Sequence, residues 1–192
     1  MARLFILSGC NGSGKTTASY AILPELLEVS EFVNSDEFAK SLSPFNPSAA
    51  SITASRLMLM KIRYLLDRRA DFSIETTLAT RSLLGIVKEA KTLGYTVTIM
   101  YLWLESPHLA MERVKARVAA GGHNISDEVV QRRYYSGLHY FFEQYAPICD
   151  RWVLADNSHP PFKVIAEGGH GTILVRNEEK YHTVLKMTSN ER

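Results

Sequence analysis

The chain has 192 residues, 46% of them hydrophobic and 22% charged, enough apolar content for one compact domain with a real core. Its 22 basic and 20 acidic residues leave a formal charge of +2, which excludes a global bias toward nucleic acid or a membrane surface. Cys10 and Cys149 are too few for a disulfide framework, and no apolar run is long enough to span a bilayer. Met1-Ala2-Arg3 runs straight into a strand pattern, leaving no room for a signal peptide, so a cytoplasmic location is expected.

In chain order, Leu4-Phe5-Ile6-Leu7 reads as a buried parallel strand and 15–23 as a helix. Between them, Gly9-Cys10-Asn11-Gly12-Ser13-Gly14-Lys15-Thr16 has two glycines, a lysine and a hydroxyl at the offsets of a phosphate-binding P-loop. The glycines let the backbone turn and bring its N–H groups, at a helix N-terminus, against an anion. Lys15 adds a point charge for the β- and γ-phosphates, and the Thr16 hydroxyl can reach a Mg²⁺. The candidate nucleotide-binding set is Gly9, Asn11, Gly12, Ser13, Gly14, Lys15, Thr16 and Thr17.

Glu31-Phe32-Val33-Asn34 is a second strand ending at Ser35-Asp36, and Pro44 and Pro47 punctuate the loop that follows. A long helix is expected from about 48 to 67, its loose apolar stripe suggesting cover on two sides. Phe72-Ser73-Ile74 is a third strand running into Glu75-Thr76-Thr77, and 80–93 a helix stopped by Gly94. The β-branched and aromatic run 95–104 is the strongest strand signal. Pro107 opens a helix that Gly121-Gly122 ends, Ser126-Asp127-Glu128 starts another, and Trp152-Val153-Leu154 is a fifth strand. Three short strands, 162–167, 171–176 and 181–186, are expected to form a small antiparallel appendage. The expectation is an α/β, P-loop kinase fold: a central parallel five-stranded sheet flanked by helices. It has a kinase domain over 1–160, a helical lid over about 113–135, and a C-terminal β appendage over 161–192 packed on the same domain.

Functional groups in such a sheet gather at the carboxyl ends of the strands, which selects Asp36, Glu75 and the residues after Leu104. Asp36 is placed to take a proton from a substrate hydroxyl or, alternatively, to cap the next helix. Glu75 sits where a Mg²⁺ ligand or a substrate-orienting carboxylate would stand, with Thr76 and Thr77 beside it. Arg113 and Arg117 share one helix face, and Gly121-Gly122-His123 can serve as a hinge before Arg132-Arg133. Of that pair, one arginine is expected to face the nucleotide and the other solvent or an acid, while Arg113 and Lys115 read as a solvated face. Cys10 reads as a small spacer whose thiol, in a positive field, would be open to alkylation. The six histidines lack metal-ligand spacing, and the aromatic run 134–145 reads as helix packing.

Together, 9–17, Val33-Asn34-Ser35-Asp36-Glu37, Glu75-Thr76-Thr77-Leu78, Arg117 with Gly121-Gly122-His123, Arg132-Arg133-Tyr134 and Asp156-Asn157-Ser158 resemble the short bacterial zeta-toxin-like P-loop kinases. The resemblance covers roughly 3–165. It implies ATP- and Mg²⁺-dependent phosphorylation of a hydroxyl, which in the characterised zeta toxins belongs to UDP-N-acetylglucosamine. It further implies phosphate binding by Lys15, Mg²⁺ binding by Thr16, Asp36 as base and Glu75 as an aid in orienting the acceptor, beside the Mg²⁺ role that its strand-end position already suggests for Glu75. Acceptor contacts would come from Asp36, Glu75, Thr76 and Thr77, and phosphate clamping from Arg117 with Arg132 or Arg133. Asp156-Asn157-Ser158 would lie on the adenine side. The lid and the stretch between Asp36 and Glu75 differ from the long toxins, which leaves the acceptor open to another sugar, a nucleoside or a nucleic-acid end. The low net charge argues against a long nucleic acid. A nucleotide-binding toxin component held silent by an antitoxin protein is the alternative from another class.

Overall fold

The computed structural model describes residues 1–22, 28–122 and 124–189. Five parallel strands form its centre: β1 (Arg3–Ser8), β2 (Glu31–Asn34), β3 (Phe72–Thr76), β4 (Thr96–Trp103) and β5 (Arg151–Asp156). Two further strands, β6 (Lys163–Gly169) and β7 (Thr172–Val175), add antiparallel to β5, so the sheet has seven strands in the order β2-β3-β1-β4-β5-β6-β7. The parallel core matches the sequence expectation, and the appendage strands extend that same sheet.

β1 lies between β3 and β4 with helices on both faces, and Leu4, Ile6 and Leu7 are buried together. This is why its sequence is a continuous apolar run rather than an alternating one. Around the sheet run α1 (Lys15–Ile22), α2 (Ser35–Leu42), α3 (Ser51–Asp67), α4 (Leu84–Thr92), α5 (Pro107–Ala119), α6 (Asp127–Tyr140) and α7 (Glu178–Ser189). Residue 23, the expected end of the first helix, lies outside the described residues. The long helix expected over 48–67 divides into a 3₁₀ turn, Pro47–Ala50, and α3. Its expected second covering is not supplied by the described residues, since Ile52 and Met60 are about two-thirds exposed. The helix expected from residue 80 starts at Leu84, after a turn in which Thr80 and Ser82 hydroxyls bond each other.

The third tail strand is a correction: 181–186 lies inside α7. Asn177 accepts from the Lys180 N–H at 3.0 Å, and Glu178 and Glu179 occupy the first turn, where acids favour the helix dipole. Aromatic packing fixes the other side of the sheet. α6 runs through a π-helical turn, Phe141–Tyr145, whose Phe141 stands edge-on to Trp152 with ring centroids 5.8 Å apart. Tyr134, Phe141 and Tyr145 are fully buried, in line with the packing role expected of this aromatic run.

Candidate functional site

The loop joining β1 to α1 is built around glycines that no other residue could replace. Gly9 has φ 140°, and a β-carbon there would stand 2.3 Å from the Leu102 carbonyl oxygen. Gly14 has φ 84°, and its β-carbon would meet the Asn157 side-chain nitrogen at 2.6 Å. At Gly9 the neighbour is backbone, so a side chain would displace the loop; at Gly14 it would strain a left-handed backbone and push the Asn157 amide aside. The Ser13 N–H donates to the Cys10 carbonyl at 3.2 Å, which closes the turn. Lys15 is almost wholly buried, and its ammonium donates to the Cys10 carbonyl at 2.8 Å. Burial lowers the Lys15 pKa, and the charges of Glu75 and Asp36 oppose that shift.

A cleft of about 550 Å³ opens over this loop at the carboxyl ends of β1, β2 and β3. Asn11, Gly12, Gly14, Lys15, Thr16 and Thr17 line its floor. Asp36, Glu75, Thr76 and Thr77 line one wall, and Arg113, Arg117 and Arg133 reach it from α5 and α6. Gly9 and Ser13 are packed beneath the loop rather than facing the cleft, and Ser13 Oγ is buried without a partner. Arg132 is exposed on the outer side of α6 and does not line the cleft, so Arg133 is the inward member of that pair. His123, part of the expected hinge, lies outside the described residues.

Two carboxylates dominate the wall. Thr16 donates its hydroxyl to Glu75 Oε1 at 2.9 Å, while Glu75 Oε2 is buried without a partner. Burial raises the Glu75 pKa, opposed by the Lys15 charge and the Thr16 hydrogen bond. Asp36 sits in the first turn of α2, and the capping role that competed for it falls to Asn34, whose side-chain oxygen accepts from the Asp36 N–H at 2.8 Å. The Asp36 carboxylate is thereby left facing the cleft, where it is the charge that most favours protonated Arg133. Buried Leu78, at φ 52°, turns the chain after β3, and its N–H is held by the Thr76 hydroxyl at 3.1 Å. α6 closes on this turn through Gly137, where a β-carbon would lie 2.7 Å from the Thr77 carbonyl. Among the described residues no group of three or more His, Cys, Asp or Glu forms a cation cage.

Several functional relationships were not legible in the sequence. Arg113, read there as part of a solvated face, instead donates to the Asn157 carbonyl at 2.9 Å and the Ser158 carbonyl at 2.6 Å. Lys115 does lie at the surface, paired with Asp127 at 2.7 Å. The reading of Cys10 as an alkylation-sensitive thiol is also corrected: the side chain is buried, and desolvation pushes its pKa up to about 11. Its neighbour Lys15 lowers that value without reversing it.

Known proteins resemble this chain in sequence and in fold. A family model described as zeta toxin matches residues 3–144. An uncharacterized protein of Haemophilus influenzae is 32% identical over 126 residues, covering 66% of this chain and 88% of that protein. Among solved structures, the AvrRxo1-ORF1:AvrRxo1-ORF2 complex with sulphate ions is similar at a TM-score of 0.79 and 18% identity, over 100% of this chain and 65% of that one. The same complex with ATP gives a TM-score of 0.76 at 17% identity over the same shares, 100% and 65%. A structure from the PezAT chromosomal toxin–antitoxin system of Streptococcus pneumoniae gives 0.66 at 14% identity, over 98% of this chain and 86% of that one. This chain therefore spans just under two thirds of the AvrRxo1 chain, and at these identities the solved structures establish the fold. No described helix is long and apolar enough to cross a membrane. With the family model covering most of the chain, from the first strand into the π-helical turn, the protein belongs to the zeta toxin family.

Proposed function

We propose that the protein is a cytoplasmic, ATP- and Mg²⁺-dependent kinase that transfers the γ-phosphoryl group to a hydroxyl of a small molecule, with UDP-N-acetylglucosamine the first acceptor to test. The observation that carries the reading is the convergence of Lys15, the Thr16–Glu75 pair and the Asp36 carboxylate on one cleft. The residues fit a magnesium ion. Glu75 Oε2 is a buried carboxylate oxygen without a partner, beside a threonine hydroxyl. Mg²⁺ takes one or two protein oxygens and keeps its other positions for water and phosphate. When bound, the ion would neutralise charge on the phosphate oxygens.

The chain's own groups then divide the work. The main-chain amides of the loop and Lys15 bind the triphosphate, with the α1 dipole favouring negative charge there. Arg117 and Arg133 stabilise charge spread over the transferred group, and the expected lid over about 113–135 carries both. Asp36 accepts the acceptor hydroxyl's proton as that oxygen bonds to the γ-phosphorus. The bond from phosphorus to the bridging oxygen breaks, and ADP leaves with its electron pair. Thr76, Thr77 and Glu75 supply hydroxyl and carboxylate partners for the acceptor. Incubation with ATP, Mg²⁺ and UDP-N-acetylglucosamine should yield a product one phosphate heavier, abolished by Asp36→Ala. Turnover of a nucleoside or another sugar instead would keep the chemistry and change the acceptor, whereas ATP binding without transfer to any hydroxyl would overturn the reading.

A regulatory protein partner is a second reading, supported by the likeness to the PezAT toxin–antitoxin structure. Growth arrest on expression of the chain alone, relieved by a co-expressed antitoxin protein, would support it.

A further inference from the structure

The loop after β5 touches the phosphate loop directly. Asn157 donates its side-chain N–H to the Ser13 carbonyl at 2.8 Å, and a β-carbon at Gly14 would stand 2.6 Å from the same amide nitrogen, so a side chain there would have to push Asn157 aside. The acceptor in that bond is a carbonyl, so the donor must be the amide nitrogen, which fixes how the Asn157 side chain is turned. Asn157 is itself held on two sides. From α5, Arg113 grips both the Asn157 and the Ser158 carbonyls. From the strand end, Asp156 accepts from the Ser158 N–H at 2.8 Å and its hydroxyl at 2.6 Å, while its other oxygen pairs with Lys180 of α7. Ser158 also takes the Glu105 N–H at 2.8 Å, tying the same turn to the end of β4.

We infer that Asn157 is a positioning residue for the phosphate loop, clamped in place by Arg113 and by the Lys180–Asp156 ion pair. It acts through the Ser13 peptide rather than by contact with a nucleotide base. The inference rests on the cleft being a triphosphate site, as proposed above. The chemistry follows from the direction of the bond. A donor on the Ser13 carbonyl holds the peptide planes around Ser13 and Gly14, and those planes aim the loop's N–H groups into the cleft. Removing the donor leaves a part-buried carbonyl unpaired and the loop freer to turn.

Binding measurements separate this role from base recognition, because the two predict different probes to be affected. With Asn157→Ala, the affinities for ATP and for inorganic tripolyphosphate should fall together, by about tenfold, while adenosine affinity stays at the wild-type value. Asn157→Asp should weaken tripolyphosphate further, by about a hundredfold, since a carboxylate would oppose the Ser13 carbonyl and add negative charge below the anion. Lys180→Met, which leaves Asn157 itself in place and lies outside the cleft lining, should move tripolyphosphate affinity about threefold in the same direction. It decides the matter if the position-157 variants do not fold. Unchanged tripolyphosphate binding in every folded variant, or an adenosine affinity that falls as far as that of ATP, overturns the inference. A wild-type protein that binds neither ATP nor tripolyphosphate overturns the triphosphate reading instead.

Discussion

Thr16 and Glu75 join the first turn of α1 to the end of β3 through a single 2.9 Å hydrogen bond, hydroxyl to carboxylate. The two residues are 59 positions apart in sequence, and parallel pairing of β1 with β3 is what brings them together. If they share a cation, Thr16→Ala and Glu75→Ala should each raise the Mg²⁺ concentration needed for half-maximal turnover by about ten- to a hundredfold. The double variant should be little worse than the poorer single, because groups serving one ion act as a unit. A Mg²⁺ titration at saturating ATP reads this directly, and additive losses would mean that the two residues do separate jobs.

Asp36→Asn should lower kcat by about a hundred- to ten-thousandfold while leaving the ATP dissociation constant within about threefold of wild type. Asn34, not Asp36, caps α2, so the substitution removes no helix cap. Single-turnover product formation, paired with equilibrium binding, checks both halves. Intact turnover would show that the proton leaves by another route.

Adjacent arginines on α6 should behave in opposite ways. Arg133 lines the cleft and donates to the Asn11 side-chain oxygen at 3.1 Å, whereas Arg132 is exposed outside it. Arg133→Ala should therefore cost at least about a hundredfold in kcat, and Arg132→Ala should stay within about twofold. Equal losses at the two positions would remove the distinction between them.

Neither cysteine should be reactive in the folded protein. Both are buried, with pKa values pushed up by desolvation to about 11 for Cys10 and about 12 for Cys149, which leaves almost no thiolate near neutral pH. Mass spectrometry after iodoacetamide treatment at pH 8 should find both unmodified unless the chain is first unfolded, and turnover should survive the treatment.

Lys180→Met should destabilise the protein by about 1–2 kcal/mol at pH 7, since Asp156 is buried and Lys180 its ion-pair partner. Burial alone would raise the Asp156 pKa, yet the bonds from Lys180 and Ser158 outweigh it and hold the carboxyl below its ordinary value. An acid with a depressed folded pKa contributes stability that is present above its unfolded value and lost as pH falls through the folded one. The gap between variant and wild type in urea unfolding should therefore narrow steadily below pH 4. A gap that is constant with pH would assign the loss to α7 packing rather than to charge.

The parts of the site that sequence made legible are those whose chemistry depends on residue type and strand position. The loop glycines, Lys15, Thr16, Asp36 and Glu75 fall at the carboxyl ends of β1, β2 and β3, where doubly wound sheets place their working groups. What stayed hidden depends on partners distant in sequence. Arg113 sits on a helix face that looked solvated, and only the fold carries Asn157 and Ser158 beneath its guanidinium. The tail misled for a different reason. Tyr181, Thr183 and Val184 favour strands one by one, but Tyr181, Val184, Leu185 and Thr188 follow the i, i+3, i+4, i+7 spacing of a helix, and Asn177-Glu178-Glu179 is an N-terminal capping signal. Spacing and cap together outrank single-residue preference, because burial on one helix face decides the element.

The recognisable family segment stops at residue 144, while the amide against which Gly14 rests stands at 157. A protein cut at that point would keep every motif of the glycine loop but lose β5, a strand of the parallel core, together with the wall behind the loop. The family segment is thus not a self-sufficient fold, because residues after 144 complete the sheet that seats the loop.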